Sequence, residues 1–497
     1  MIYRSSIRKF NTIISNSKLN TGLNPVSELV YGRDNIVSRA LLYFDHSKVR
    51  EMLEDGTMPD VTKMRHVLHI TNAGSIDFTQ LHQCETSSIN LNRKIRATSF
   101  DLIFFLIPKD WDRGKGFDYS RTWLNYDFYS KNVIDSDRLV SEDGSNWFQR
   151  KNGLKWDEPG VYSNETLSGE YDKFASGEES IVIARQHFDV GNENINIDIT
   201  DTFNKFITGE IENHGIGIAF SPMYEVMDSE YENYLGLLTD RTNLWFEPFV
   251  ETRYEDVVMD DRVNFVLGKT NRLYLYCTIG DQLENLDKNP TVTVTDSEGS
   301  VVKDSEGNEL SGIESTRQTK GIYYVEFKIP KGEMEPDMML FDTWSDISYD
   351  GDALDDVEMD FTLKQPANYF NIGNSSSVGN VTFSVTVSGI QELERIKRDD
   401  VRKLVIKAKP SYTTNTVQLV DSIDVRMYIK DGTREVDVIE WDRVNRSFTE
   451  NFYLVDTGML IPQKYYVDVR VKYGMNSIIH HDVLSFYIVD DLNNKYA

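Results

Sequence analysis

The chain has 497 residues, 40% apolar and 12% aromatic, with 53 Lys and Arg against 80 Asp and Glu. That length supports two to four domains with sizeable cores. The formal net charge of -27 argues against direct wrapping of nucleic acid or binding to an anionic membrane, since both need a positive surface.

The N-terminus, Met1-Ile2-Tyr3-Arg4-Ser5-Ser6-Ile7-Arg8-Lys9-Phe10, lacks the continuous apolar stretch of a signal peptide. No run of about 18 apolar residues occurs, so no membrane span is expected. Residues 1–20 read as a locally basic arm, with Ile7, Phe10, Ile13 and Ile14 suiting a short amphipathic helix or an extended clamp. Arg4, Arg8, Lys9 and Phe10 are its candidate contacts with an acidic partner. The alternative is an arm folded back on its own acidic body.

Strand signals dominate residues 21–256. They begin with Arg39–Phe44, Arg65–Ile70 and Thr98–Ile107 and continue with Ser180–Arg185, Ile195–Ile199 and Gly215–Phe220. Tyr234–Leu238 and Trp245–Val250 close the series. Two short helices are expected. One spans His46–Glu54. The other spans Asp201–Thr208, capped by Thr200 or Asp201, with Phe203, Phe206 and Ile207 inward and Gly209 at its end. Many strands with few helices predict a jelly-roll β-sandwich. Residues 71–95 and 108–179 read as long loops. In the second, Trp147 and Trp156 could form a glycan-stacking platform or, alternatively, anchor the loop.

Residues 257–270 read as a connector, and 271–365 as a first Ig-like sandwich in which Thr291–Thr295 alternates with period two. Glu335–Asp360 holds ten carboxylates and no Lys or Arg, the pattern of a solvated face or loop. A calcium loop is the sharper alternative, but its acids do not follow EF-hand spacing. Asn371–Ser377 is a linker by composition. Residues 379–497 read as a second Ig-like sandwich with a hairpin at Asp431-Gly432.

No nucleophile elbow, phosphate loop or zinc-protease motif occurs, so no enzyme activity, cofactor or metal is expected. His66 and His69 would fall on opposite faces of a strand. His82 and Cys84 lack a second ligand pair. His480-His481 reads as an edge or loop feature before a strand. Cys84 and Cys277 are expected to be reduced thiols in a protein made in a cytoplasm.

The order of signatures resembles the DNRLRE-type jelly roll, which is similar to carbohydrate-binding modules. The matching residues are Asn24-Pro25-Val26-Ser27-Glu28-Leu29-Val30-Tyr31-Gly32, Arg39–Asp45, Ile197–Asp201, Gly209 and Asn213–Ile218. Leu237–Asn243 and Trp245–Glu251 complete the set. With Gly389–Glu394 and Val436–Trp441, the whole chain further resembles virion structural proteins of tailed bacteriophages, the crAss-like phages of Bacteroides in particular. That resemblance implies a non-enzymatic ring component of the neck, collar or tail, assembled in the host cytoplasm. Its partners would be copies of itself and other virion neck or tail proteins. The alternative is a carbohydrate-binding adhesin or tail-associated receptor binder. The resemblance carries over no ligand residues.

Overall fold

The structure is a computed structural model. It describes all residues except 1, 16, 33–34, 76–93, 117–140, 231, 243–245, 281, 333, 365–382, 399, 411–419, 433, 448, 474–475 and 490–497. The chain divides into two compact units, one of Ile2–Met52 with Asp60–Tyr254, the other of Leu53–Pro59 with Glu255–Ala497. Strands dominate both, so the fold is all-β.

The first unit is a jelly-roll-like sandwich. Its larger sheet runs Ile195–Asp198, Met64–Ile70, Phe249–Tyr254, Ile2–Ile14, Ser38–Phe44, Ile216–Phe220, Phe100–Leu106 and Val182–Phe188. A smaller sheet runs Val26–Gly32, Glu232–Leu238 and Lys94–Arg96. Ser38–Phe44, Phe100–Leu106 and Ile216–Phe220 are adjacent to one another and buried almost throughout. A strand wetted on one face alternates apolar with polar residues, whereas these read as continuous apolar runs because both faces are covered. On the outer face Leu41, Ile103, Phe105 and Ala219 pack against Trp111, Trp156, Val161 and Leu167 of the 108–179 excursion. On the inner face Phe44 stacks on Phe203, ring centroids 5.4 Å apart. Gly217 is required here, since an added Cβ would meet the Phe105 ring at 2.2 Å.

The helix Thr200–Thr208 buries Phe203, Phe206 and Ile207 and ends at left-handed Gly209, as expected. Its N-terminus is capped from outside the expected pair: Asp198 accepts from the Thr200 amide and hydroxyl at 3.0 and 2.6 Å. Its last carbonyls, of Phe206 and Ile207, accept from the Arg50 guanidinium at 2.8 and 2.9 Å. A cation there also complements the helix dipole.

Three expectations for this unit need correction. Residues 2–14 form a strand and no free arm. Ile2–Ser6 pairs with Phe249–Arg253, and Ile7–Ile14 pairs with Ser38–Phe44 after a register shift between Ile7 and Lys9. The apolar spacing, which suited a helix or an extended segment, serves an extended strand folded back on the chain's own body, the alternative named for it. The excursion is no simple loop, because it contains the helix Asn164–Ser176, capped by Ser163 and closed by left-handed Gly177. The closing strand is Phe249–Tyr254 rather than Trp245–Val250. Residues 243–245 and most of 71–95 lie outside the described residues.

The second unit contains two sandwiches. In the first, Phe265–Val266, Val357–Lys364, Met339–Ser345, Thr291–Thr295 and Ile313–Glu314 form one sheet, and Asn271–Tyr276, Ile322–Phe327 and Thr316–Thr319 the other. Leu273, Val292, Val294, Val325, Leu340, Trp344 and Phe361 fill the space between. In the second, a sheet of Phe383–Ser388, Val401–Pro410, Asn451–Asp456 and Asn445–Arg446 accompanies one of Glu394–Lys397, Asn476–Val489, Lys464–Tyr473, Ser422–Asp431 and Arg434–Arg443.

The acidic run is not wholly a solvated loop. Met339–Ser345 is an interior strand, and Asp342 is fully buried. Arg262 holds Asp342 through both guanidinium ends and also donates to the Tyr274 carbonyl at 3.2 Å. The Trp344 indole N–H supplies a further bond at 2.7 Å. The segment 257–270 is likewise no free connector, because Val258 and Asp260 pair through backbone hydrogen bonds with Arg446 at 2.7 and 3.0 Å. Arg446 binds Asp261 at 3.0 Å and the Val420 and Asp421 carbonyls at 3.1 and 2.7 Å. Two guanidiniums thus close the joint between these sandwiches. The Asn371–Ser377 linker lies outside the described residues.

Burial pushes Asp260 up to about 6 from 3.8, against the pull of Arg262. The folded chain therefore binds more protons between those values, and this group's contribution to stability falls as pH rises through the window. Asp260→Asn should gain on the parent between pH 4 and 7, by roughly 2–3 kcal/mol. Matched-pH hydrogen exchange at the Asp260 and Arg446 amides measures it, and equal protection at both pH values contradicts it. His66 titrates with the opposite sign. Burial holds it at about 4 against an ordinary 6.5. Its contribution is complete above about 6.5 and is lost as pH falls toward 4. The acid limb of the urea midpoint against pH should therefore flatten in His66→Gln.

Candidate functional site

The outer face of the first unit's larger sheet is the natural place to build from, because Lys9, Trp147 and Trp156, three of the residues singled out in the sequence, meet there. Ser38–Phe44 turns Arg39 and Leu41 toward the excursion. Arg39 is 1% exposed. Its Nε and Nη2 donate to the two Glu225 carboxylate oxygens at 2.8 and 2.6 Å. Its Nη1 donates to the Gly160 and Tyr162 carbonyls at 2.8 and 2.5 Å. The guanidinium carbon lies 5.0 Å from the Trp147 ring centroid. Glu225, on the short helix Pro222–Glu225, also accepts from Asn164 Nδ2 at 3.2 Å. One cation thereby joins a sheet strand, an excursion turn and a helix.

Trp156 is 5% exposed, and its indole N–H donates to the Asn146 carbonyl at 2.9 Å. Trp147 is part-buried against the same cluster. The sequence brings the two indoles together, but beneath the excursion, so neither offers an open ring to a sugar. They serve as anchors, the alternative role named for them.

The basic residues of the N-terminal strand are also engaged inside the unit. Arg4 pairs with Glu251 at 3.4 Å and covers the Phe249 ring. Lys9 donates to the Trp111 carbonyl at 2.9 Å and to Asp110 at 3.3 Å. Phe10 is 1% exposed. Only Arg8 stays at the surface. A docking arm built on these four residues is therefore not available: three of them hold the sheet and its cover.

His66 and His69 make their contacts within the first unit. His66 is bonded to Thr252 and Asn204 at 2.8 and 3.1 Å, and His69 stacks on Phe249 across the strand. His480 and His481 lie within the strand Asn476–Val489 rather than before it, at a bulge where Asp482 has a left-handed φ of 51°. Asp468, fully buried, accepts from the Asp482 amide at 2.9 Å and so satisfies the bulge. Among the described residues no cluster of His, Cys, Asp or Glu could hold a metal ion. His82 and Cys84 lie outside them. Burial raises the Cys277 thiol to about 11. No helix among the described residues is long and apolar enough to cross a membrane.

Two surface features were not anticipated. Met223, Val226 and Met227, flanking buried Glu225, are 63%, 64% and 48% exposed. On the last sheet, Lys430 lies 4.2 Å from the Tyr466 ring centroid and Arg470 lies 4.5 Å from that of Trp441. The helix Asn164–Ser176 has a legible signal in the sequence: Leu167, Tyr171 and Phe174 repeat at helical spacing between Ser163 and Gly177.

Neither a family model nor a curated protein matches the sequence. Solved structures give weak likenesses. The fibronectin(III)-like modules of Clostridium thermocellum CbhA are 10% identical, covering 48% of this chain and 95% of that one, with a TM-score of 0.16. The titin Ig tandem domains A164-A165 are 12% identical, covering 46% and 92%, with a TM-score of 0.16. The Yersinia pseudotuberculosis adhesin InvE is 10% identical, covering 45% and 56%, with a TM-score of 0.15. Scores this low carry no argument.

Glu225→Ala should leave a buried guanidinium without its carboxylate and destabilise the first unit by about 3–5 kcal/mol. Arg39→Met combined with Glu225→Met should recover much of that loss. Trp156→Ala should cost about 3–5 kcal/mol through the cavity it leaves. Urea unfolding followed by intrinsic fluorescence reads all three, and a parent-like midpoint for Glu225→Ala contradicts the assignment.

Proposed function

We propose that the chain is a non-enzymatic structural component of a tailed-phage virion, present in several copies in a neck, collar or tail ring. The observation that carries the proposal is the ion-locked joint of the second unit. There Arg446 of one sandwich binds Asp261, and the adjacent Arg262 fixes that same segment to buried Asp342 of the other. Losing one partner of such a buried pair costs about 3–5 kcal/mol, so the joint resists bending. A rigid pair of sandwiches spaces its outer surfaces at fixed positions, which a ring subunit needs and a flexible tether would defeat.

Two further points support it. The excursion is spent on covering a sheet, with its indoles inward, rather than on framing an open ligand groove. The turn at Met223, Val226 and Met227 presents apolar side chains to solvent, a feature of surfaces that meet other proteins. The sequence resemblance to crAss-like virion proteins supplies the biological setting.

Sedimentation velocity of the purified chain should show species larger than a monomer. Imaging of virions of the phage that encodes it should place the chain in a ring. Virions that lack this protein yet keep an intact neck, collar and tail would sink the proposal. Binding on a glycan array would instead favour the adhesin alternative.

A further inference from the structure

The last sheet carries an unbalanced cationic patch on an otherwise acidic chain. Asp424, with its side chain 3% exposed, is held by Arg443 at 2.7 Å, Arg470 at 2.7 Å and Lys472 at 3.1 Å. Three cations against one carboxylate leave two positive charges at this end of the sheet, whereas two residues along the strand Arg426 meets Glu435, Asp437 and Asp468, so the cationic character is confined to the end that Asp424 occupies. The neighbouring Asp442 does not cancel those two charges, since Val425 opposite it faces the core and Tyr453 of the other sheet donates to it at 2.9 Å. Arg443, Arg470 and Lys472 remain 40%, 24% and 38% exposed, so their outer edges face solvent. Trp441 lies beneath Arg470, and Ile479, cross-strand from Arg470, is 42% exposed. Aromatic, aliphatic and guanidinium groups over a buried ion are the composition of a protein-docking surface.

The same unit carries the complement. Gly351–Glu358 is exposed at every position. Asp352, Asp355, Asp356 and Glu358 have no cationic partner among the described residues, and Leu354 and Val357 stand 47% and 36% exposed between them. The two surfaces of one chain do not meet. Lys472 lies at the joint, where its carbonyl accepts from Asp421 and Asp421 pairs with Lys269. Lys364 lies near that same joint, its carbonyl accepting from Leu267. Val357 is at the other end of the strand Val357–Lys364, roughly 23 Å away at the usual rise per residue.

We propose that Trp441, Arg443, Arg470 and Lys472 of one copy dock the Asp352–Glu358 tip of a second copy of this chain. The proposal rests on the multi-copy reading above and names its contact. Such a contact joins different surfaces of the two copies, so it propagates head to tail and closes into a ring if the rotation allows. Complementary charge would also steer copies of a chain whose net charge of -27 otherwise holds them apart.

The test uses the full chain at low and high salt in sedimentation velocity. Asp355→Lys with Asp356→Lys changes only exposed, unpartnered carboxylates, so folding should be kept, and self-association should weaken about tenfold or more. Arg443→Glu with Lys472→Glu should weaken it equally while Arg470 continues to hold Asp424. Mixing the two double variants should restore association, because the reversed tip then meets the reversed patch, and added salt should weaken parent and mixture alike. Parent-like assembly of the folded tip variant overturns this contact while leaving the ring proposal standing. A parent that stays monomeric at low salt and is absent from virions overturns both.

Discussion

A sheet buried on both faces has nowhere to send a charge except into the fold, and Arg39 is the charge that the first unit must accommodate. It stands on the central strand Ser38–Phe44, on the face that the 108–179 excursion covers. Every donor it uses is answered by Glu225 or by a carbonyl of the excursion. A bidentate carboxylate pair with additional carbonyl partners is the geometry in which Coulomb attraction can repay the desolvation of both ions. The cover then follows from the ion. Gly160 and Tyr162 can be held only if their turn lies over the sheet, which brings Trp147 over the guanidinium and Trp156 into the apolar cluster. Lys9 and Asn11, on the neighbouring strand, extend the same logic by bonding to Trp111 and Ser145 of the excursion.

The second unit solves a related problem at its joint. A β-strand edge left open invites pairing with another chain. Residues 258–260 lie along the Asn445–Arg446 edge and occupy it with backbone hydrogen bonds. The charges follow the backbone. Arg446 reaches Asp261, while Arg262 reaches Asp342 inside the neighbouring sandwich. Consecutive residues of one short segment thus bind two domains, which is why a stretch that reads as a connector behaves as part of both. The carboxylates carry the cost, since burial raises Asp260, Asp261 and Asp342 above their usual range.

The last sheet treats buried carboxylates differently. Asp424 and Asp468 sit on its outer face beneath cations that are themselves partly exposed. Asp424 is held below its usual range despite burial, because Arg470, Arg443 and Lys472 all bond to it. Its surplus of positive partners sets that end of the face apart from the Asp468 end, where the single guanidinium of Arg426 meets Glu435, Asp437 and Asp468. The contrast between an inward ion pair that locks a joint and an outward cluster that leaves charge to spare separates framework from surface in this unit.

Periodicity determined much by itself. Thr291–Thr295 alternates in the sequence and in the fold, and Phe203, Phe206 and Ile207 face inward from a short helix as their spacing requires. The run from Arg39 to Phe44 reads as a strand and is one, and the fold shows that it is buried almost throughout. Local pattern reports which side chains avoid water, but not what excludes the water. The fold decided that the excursion, rather than a partner, covers Leu41 and Phe105, and that Trp147 and Trp156 point inward. It decided that residues 2–14 are a strand, because strand pairing is a non-local choice made by Phe249–Arg253 and Ser38–Phe44. It also placed a buried strand within an acidic run, since Asp342 is tolerable only when Arg262, 80 residues earlier, arrives to meet it. Charge pairing across such distances leaves no trace in local composition, so the joint and the cationic patch became visible only in three dimensions.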